Sequence, residues 1–483
     1  MQILFYFFLL IGRLVIPDSV PDRPNVLFIA VDDLRPDLGC YDNHRVISPN
    51  IDALAKEGIR YERAYCQQAT CAPSRTSLLT GLHPDEAGVT DHVTHFRTLH
   101  PDIVTLPQLF TQAGYSTCGI GKIFHFAEGY QDAESWSEPA QFETTSKVNT
   151  YVQPGNQTKG KGVSFEITDA PDTAFTDGKI ATEVINKLHH YQKEGQSFFL
   201  AAGFLKPHLP YSMPQKYWDS YAEGDFSLPE KDQLRPEGAP DIAFHHWQEL
   251  RGYKDVPNQG PVRSSLMDSL RRAYYACITF VDEQIGKILD ELKATGLDKN
   301  TIVVLWGDHG YHLGEQNLWH KHTNFELDTH VPLIFKVPGM AAKSISDVVE
   351  LLDIYPTLAE LAGLKLANPV SGISLVDQMK KSRKQNTHFA FSQYFRPYGA
   401  ISGKVRPTHM GYTVRSGEFR YTGWFGTDAD IPQFEELYDL RQEAFERKNV
   451  TGENQYKAIL EDLRRRVVNY KNKRYAQAYA IGG

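Results

Sequence analysis

A cysteine beside a fixed cation, and three carboxylates that follow apolar runs, are the residues of this chain best suited to do chemistry. Cys71 opens Cys71-Ala72-Pro73-Ser74-Arg75, followed by Thr76-Ser77-Leu78-Leu79-Thr80-Gly81. Pro73 suits a first helical position, 76–82 can continue the helix, and His83-Pro84 reads as its stop. Cys71 then lies at the positive end of a helix next to Arg75, a place that attracts an anion or lowers the pKa of a thiol. A buried structural cysteine is the ordinary alternative. Asp32-Asp33 follows one apolar run and Asp308 another. An isolated Asp-Asp pair is more often a solvated turn, but three carboxylates brought together repel unless a cation sits among them. Hard oxygen donors favour calcium or magnesium over zinc.

The elements that must position these residues are legible as apolar runs of strand length at 25–31, 116–120, 198–204, 301–306 and 333–337. Helical patterns fall at 50–58, 105–113, 180–191, 266–292, 351–362 and 456–470. This alternation predicts an α/β fold whose large, mainly parallel central sheet is flanked by helices on both faces. Ligands of such sheets gather at the carboxyl ends of the strands, which would bring Asp32, Asp33 and Asp308 together. Stretches 127–173 and 210–264 read as loops. Beyond 391–397 the character changes: 410–424 looks like a hairpin turning at Ser416-Gly417, and a terminal helix follows. The expected division is a catalytic domain over 23–398 and a small C-terminal subdomain over 399–483, with a short antiparallel sheet and a helix.

Composition narrows the partners. At 483 residues, 23% charged and 41% hydrophobic, the chain reads as globular, and a net charge of −8 argues against nucleic acid while leaving room for a local basic pocket. The apolar run Ile3 to Ile11 is too short to span a bilayer and has signal-peptide length, so residues 1–22 are expected to be a signal peptide or N-terminal anchor of an exported protein. No other stretch is long and apolar enough for an integral membrane segment. Setting Cys71 aside, Cys40, Cys66, Cys118 and Cys277 could be buried thiols or bridges.

Cys-x-Pro-Ser-Arg with Thr-x-Leu-Leu-Thr-Gly closely resembles the signature of the type I sulfatases, and Gly-Asp-His-Gly-Tyr-His-Leu-Gly-Glu resembles their iduronate-2-sulfatase-like branch. The resemblance implies an alkaline-phosphatase-like sandwich. It implies that a formylglycine-generating enzyme converts Cys71 to formylglycine, whose hydrate attacks sulfur. It also implies a cation, usually calcium, held by Asp32, Asp33, Asp308 and His309 and touching residue 71. His309 stands where many members have Asn, and imidazole suits calcium poorly, so it reads as a weak ligand or a sulfate contact. By the same resemblance Arg75, Lys122 and Lys321 stabilise the sulfate oxygens, His208 or Lys321 protonates the departing sugar oxygen, and His125 removes the proton that releases sulfate. A lone Lys or His would otherwise be read as surface. The implied substrate is a sulfated sugar, with a 2-O-sulfated uronate as leading choice. His95, Arg97 and Arg396 are candidates for its carboxylate, arginine because its planar fork binds both oxygens. A phosphate or phosphonate ester hydrolase on the same fold is the second reading, and a silent glycan-binding relative the third.

Overall fold

The computed structural model describes residues 23–125, 130–141, 151–156, 162–381, 389–441 and 445–481; the expected signal peptide or anchor lies outside them. Strand β1 (Asn25–Val31) is buried along its whole length because both of its faces are covered. Val26, Phe28 and Ala30 join one apolar core, while Leu27, Ile29 and Val31 join the other, as the two-residue period of a strand requires. The other strands of the sheet are β2 (Ile59–Tyr65), β3 (Ser116–Gly121), β4 (Phe198–Phe204), β5 (Thr301–Gly307), β6 (His330–Lys336) and β7 (Lys343–Glu350). They lie in the order β7-β2-β6-β5-β1-β4-β3.

The sheet is mainly parallel, with one exception. β1 runs parallel to β4 and β5, and β3 parallel to β4, whereas β6 runs antiparallel to both of its neighbours. The apolar run at 333–337 is therefore a strand in reverse. Its connection from β5 passes through a two-residue ladder, His312–Leu313 with Trp319–His320, rather than a crossover helix. β2 and β7 carry too many charged residues to show in the apolar pattern.

Helix α1 (Pro49–Glu57) precedes β2, and α2 (Cys71–Thr80) follows it. α2 begins at Cys71 itself and ends at Gly81, whose φ of 71° lies in the left-handed region. Pro73 is thus its third residue, where the backbone N–H would have no helical partner anyway. His83-Pro84 opens a further short helix, Pro84–Ala87, instead of closing this one. All ten residues of α2 are buried. On the opposite face α3 (Thr176–Glu194) and α4 (Ser264–Ala294) cover the sheet, and α5 (Ile354–Leu361) lies on the α2 side.

A second, antiparallel sheet contains β8 (Ala390–Arg396), β9 (His409–Arg415), β10 (Phe419–Gly426) and β11 (Phe434–Asp439) in chain order. The β9–β10 hairpin turns at Ser416-Gly417, as its sequence predicts. Helix α6 (Lys457–Ile481) closes this unit by packing Leu460, Leu463 and Val467 with Val414, Tyr421 and Leu437. Its Tyr470 hydroxyl lies 2.8 Å from His83 Nδ1, tying the C-terminal helix to the turn after α2. Cys40, Cys66, Cys118 and Cys277 are all free thiols.

Candidate active site

Four adjacent parallel strands deliver the site. β1 ends in Asp32-Asp33, β5 in Asp308-His309 and β3 in Lys122, and β4 runs on towards His208. Sheet hydrogen bonding continues one residue past the strands: Asp32 N–H donates to Phe204 O at 3.2 Å, Asp308 N–H to Val31 O at 3.3 Å, and Lys122 N–H to Gly203 O at 2.8 Å. These backbones are therefore as fixed as the strands. Asp33 turns the chain at a φ of 58°, a conformation aspartate tolerates better than most residues.

Around Cys71 the charges alternate. Its Sγ lies 3.4 Å from Asp32 Oδ1 and 3.2 Å from His309 Nε2. Lys122 Nζ donates to Asp32 at 2.5 Å, and Lys321 Nζ to both oxygens of Asp33 at 2.9 Å. Burial alone would raise the Asp32 carboxyl, but Lys122, His208 and Arg75 hold it well below its usual range. Asp33 is ion-paired to Lys321, whose ammonium donates to both of its oxygens and offsets the cost of burying the carboxylate. Both lysines resist the lowering effect of burial, Lys122 through Asp32 and Lys321 through Asp33 and Glu249, and so stay charged.

Two expectations about α2 change. Burial, then Asp32, push the Cys71 thiol well above its usual pKa, against the nearby lysines. Arg75 does not face an open anion position: Nε donates to Asp308 at 2.8 Å, one terminal nitrogen donates to the carbonyls of Lys122 and Ile123, and the other to Asp32 at 3.3 Å. It aligns two carboxylates and stacks over Trp306.

The residues present fit a divalent cation. His309 Nδ1 lies 3.0 Å from Gly310 O, which places the ring proton there. The Nε2 lone pair then faces Asp33 Oδ1 at 3.4 Å and Asp308 Oδ2 at 3.6 Å, acceptor against acceptor, beside the Cys71 thiol. A second proton on the ring is opposed by burial, which keeps the imidazole below its usual pKa. A metal ion among these atoms relieves the same contacts, and donor atoms of Asp32, Cys71, Asp308 and His309 all lie within 4.8 Å of one another.

His208 and His125 reach the same edge. His208 Nδ1 lies 2.5 Å from Leu209 O, and Nε2 is 3.4 Å from Glu249 Oε1. Burial and Lys321 keep its imidazole well below the usual range, against Asp32 and Glu249. His125 stacks on His92 at 4.6 Å and is likewise held low, by burial and then His92. Glu249 and His92 are additions that no sequence pattern indicated. Glu249 arrives on a four-residue helix, Gln248–Arg251, and its carboxylate bridges His208 and Lys321.

The three candidate carboxylate contacts are placed otherwise. Arg97 forks onto Asp132 and bonds the carbonyls of Pro101 and Ile103. His95 Nδ1 accepts from Arg97 N–H, and its ring stacks on Phe96. Arg396 is buried, with its guanidinium donating to the carbonyls of Ile242, Ala243, His322 and Phe395. It braces the β8 end against two loops, so no planar fork is left for a ligand carboxylate. Arg396→Ala is expected to cost about 1–3 kcal/mol of stability through unsatisfied buried carbonyls. It should also lower kcat/KM equally on uronate and neutral sulfated sugars; selective loss on uronates would return Arg396 to the substrate.

A doubly covered α/β sheet with carboxylates, lysines and a helix-borne nucleophile position at its carboxyl edge defines a hydrolase of tetrahedral oxyanion esters. The chain belongs to the sulfatase family, whose model matches residues 24–364, and the model "N-sulphoglucosamine sulphohydrolase, C-terminal" matches 314–473. The human iduronate 2-sulfatase is 32% identical over 86% of this chain and 87% of its own length. A choline-sulfatase of Rhizobium meliloti is 29% identical over 89% of this chain and 82% of its own. Among solved structures, a protein bound to its substrate D-glucosamine-2-N,6-O-disulfate superposes with a TM-score of 0.73 at 24% identity, covering 94% of this chain and 98% of its own. A phosphonate monoester hydrolase from Silicibacter pomeroyi gives 0.77 at 22%, covering 93% and 96%, a likeness of fold. The chain is thus an enzyme of the sulfatase family. No helix among the described residues is long and apolar enough to cross a membrane.

Proposed function

We propose that this sulfatase removes sulfate from a sulfated carbohydrate, with residue 71 as nucleophile after conversion of Cys71 to formylglycine and with calcium as the cation. The observation that carries the proposal is the convergence on Cys71 Sγ of Asp32, His309 and two lysines held charged. Calcium, when bound, would polarise the sulfuryl oxygens, and formylglycine would supply a hydrated-aldehyde hydroxyl. Asp32, Asp33, Asp308 and His309 are the residues that would hold the ion. Lys122 and Lys321 neutralise charge on the sulfuryl oxygens, and Arg75 positions Asp32 and Asp308. Lys321, which stays charged, gives the proton to the departing sugar oxygen, because His208, held neutral by burial with Nδ1 against Leu209 O, has a bare Nε2. His125, kept neutral by burial, takes the proton whose removal releases sulfate.

The iduronate 2-sulfatase relatives favour a 2-O-sulfated uronate as the sugar. With Arg97 and Arg396 engaged elsewhere, recognition of its carboxylate falls to other groups. Maturation requires a formylglycine-generating enzyme, and export, through the apolar N-terminus, fits a substrate of this kind. Matched nitrophenyl sulfate and phosphate test the reaction class. The sulfate is expected to turn over at least tenfold faster, chelation to suppress it and calcium to restore it. Preference for the phosphate would replace the sulfatase reaction with that of a phosphoester hydrolase on the same fold.

A further inference from the structure

Lys321 and Glu249 come from segments far apart in sequence, and each segment is held in a backbone conformation that ordinary residues avoid. Lys321 stands between His320 and His322, whose φ angles of 56° and 92° are both left-handed. The chain is left-handed earlier in the same segment, at Gln316 and Asn317. Glu249 follows Trp247, left-handed at 54°. None of these is a glycine, and such a conformation persists only where surrounding contacts impose it.

The contacts that impose it join the two segments to each other. The Trp247 indole N–H donates to Asn317 O at 2.8 Å, tying one left-handed residue to another. His245 stacks on His320 with ring centroids 4.6 Å apart. The Arg396 guanidinium donates to the carbonyls of Ile242 and Ala243 in the first segment and to that of His322 in the second. Leu250, next to Glu249, is buried in the main core. A carboxylate and an ammonium are thereby set together by their backbones: Glu249 Oε2 lies 3.4 Å from Lys321 Nζ, while its Oε1 lies 3.4 Å from His208 Nε2. Asp33 takes the same ammonium on both of its oxygens at 2.9 Å.

We propose that Glu249 is a positioning residue that holds the Lys321 ammonium against the leaving-group oxygen, and so sets how poor a leaving group the enzyme can expel. A lysine ammonium rides on a flexible four-carbon stem. Asp33, one of the carboxylates gathered at residue 71, would by itself keep that ammonium beside the sulfuryl group. A second carboxylate from another segment confines it between the two. As the S–O bond to the sugar breaks, its electron pair passes to the sugar oxygen, which takes a proton from Nζ, and the sulfuryl group passes to residue 71. An unactivated alcohol depends on that proton, whereas a nitrophenolate leaves nearly as well without it. The inference rests on Lys321 as the acid of the proposed reaction. Turnover of nitrophenyl sulfate by the unsubstituted enzyme checks the reaction, and Lys321→Met checks the acid, so neither failure is confused with a failure of Glu249.

The test measures kcat and KM on a series of para-substituted phenyl sulfates running from nitro to methoxy, which varies the leaving group and needs no knowledge of the sugar. Glu249→Gln, close to isosteric, should lower kcat on methoxyphenyl sulfate by roughly 10–100-fold, as misplacement of a catalytic group does. On nitrophenyl sulfate the loss should be about threefold or less, with KM little changed across the series, as expected for an interaction made only in the transition state. The dependence of kcat on leaving-group pKa therefore steepens. Glu249→Asp should recover part of the loss, and Trp247→Phe, which removes only the indole N–H, should steepen the series more weakly. In a Lys321→Met background, Glu249→Gln should cost about twofold or less, because the two residues act as one unit. An equal loss on every ester would reduce Glu249 to structural support and overturn the proposal. So would a rise in KM at constant kcat, or full additivity with Lys321→Met.

Discussion

Cys71→Ala is expected to lower turnover by a factor of roughly 10⁴ or more while the unfolding temperature moves by no more than about 2–4 °C. The asymmetry follows from where the sulfur sits. Its polar contacts are Asp32 and His309, both fixed by other bonds, so the methyl of alanine leaves the scaffold in place. The unmodified thiol is itself poorly reactive here, because burial and Asp32 keep it protonated. Activity should therefore scale with the fraction of Cys71 converted, measured by mass spectrometry of the peptide that contains it. Full activity in a preparation whose Cys71 is wholly unconverted would end the formylglycine assignment.

Arg75→Met should be the most destabilising single change at the site, at about 3–5 kcal/mol, because it strips one partner from buried ion pairs. Asp32, Asp308 and Arg75 are each 0% exposed, and the guanidinium donates to both carboxylates and to the Lys122 and Ile123 carbonyls. Lysine would return the charge without the fork, so Arg75→Lys should recover less than half of the loss. Added calcium should restore part of it by binding the exposed carboxylates. Denaturant titration of the three proteins, with and without calcium, measures these terms. Wild-type stability in Arg75→Met would show that the carboxylates are neutralised by some other group.

What the sequence disclosed follows from which signals are local. β1, β4 and β5 are continuous apolar runs because both faces are buried, so they and the aspartates behind them are readable. β2, Ile-Arg-Tyr-Glu-Arg-Ala-Tyr, lies nearer the sheet edge, and its Arg60, Glu62 and Arg63 interrupt the pattern. The reversal of β6 is set by the path of the 308–329 connection, which no propensity encodes. Lys122 and His208 are legible because they follow strands. Glu249 is not, since a four-residue helix inside a loop-rich stretch carries it across the fold. Arg396 misleads for a related reason: an arginine in a family-like segment looks like a ligand contact until its four carbonyl partners are seen.

The total burial of α2 has a consequence in time rather than in space. Cys71 is 2% exposed and no residue of its helix reaches solvent, so a modifying enzyme has no folded surface on which to grip the sequence. The Cys-x-Pro-Ser-Arg stretch is available only while the chain is extended, before α5 and its neighbours pack against it. The conversion proposed for Cys71 would then be a race against folding. Molecules that fold first would be locked, well ordered and inert, so under that proposal the specific activity of any preparation should record how long its nascent chains stayed open.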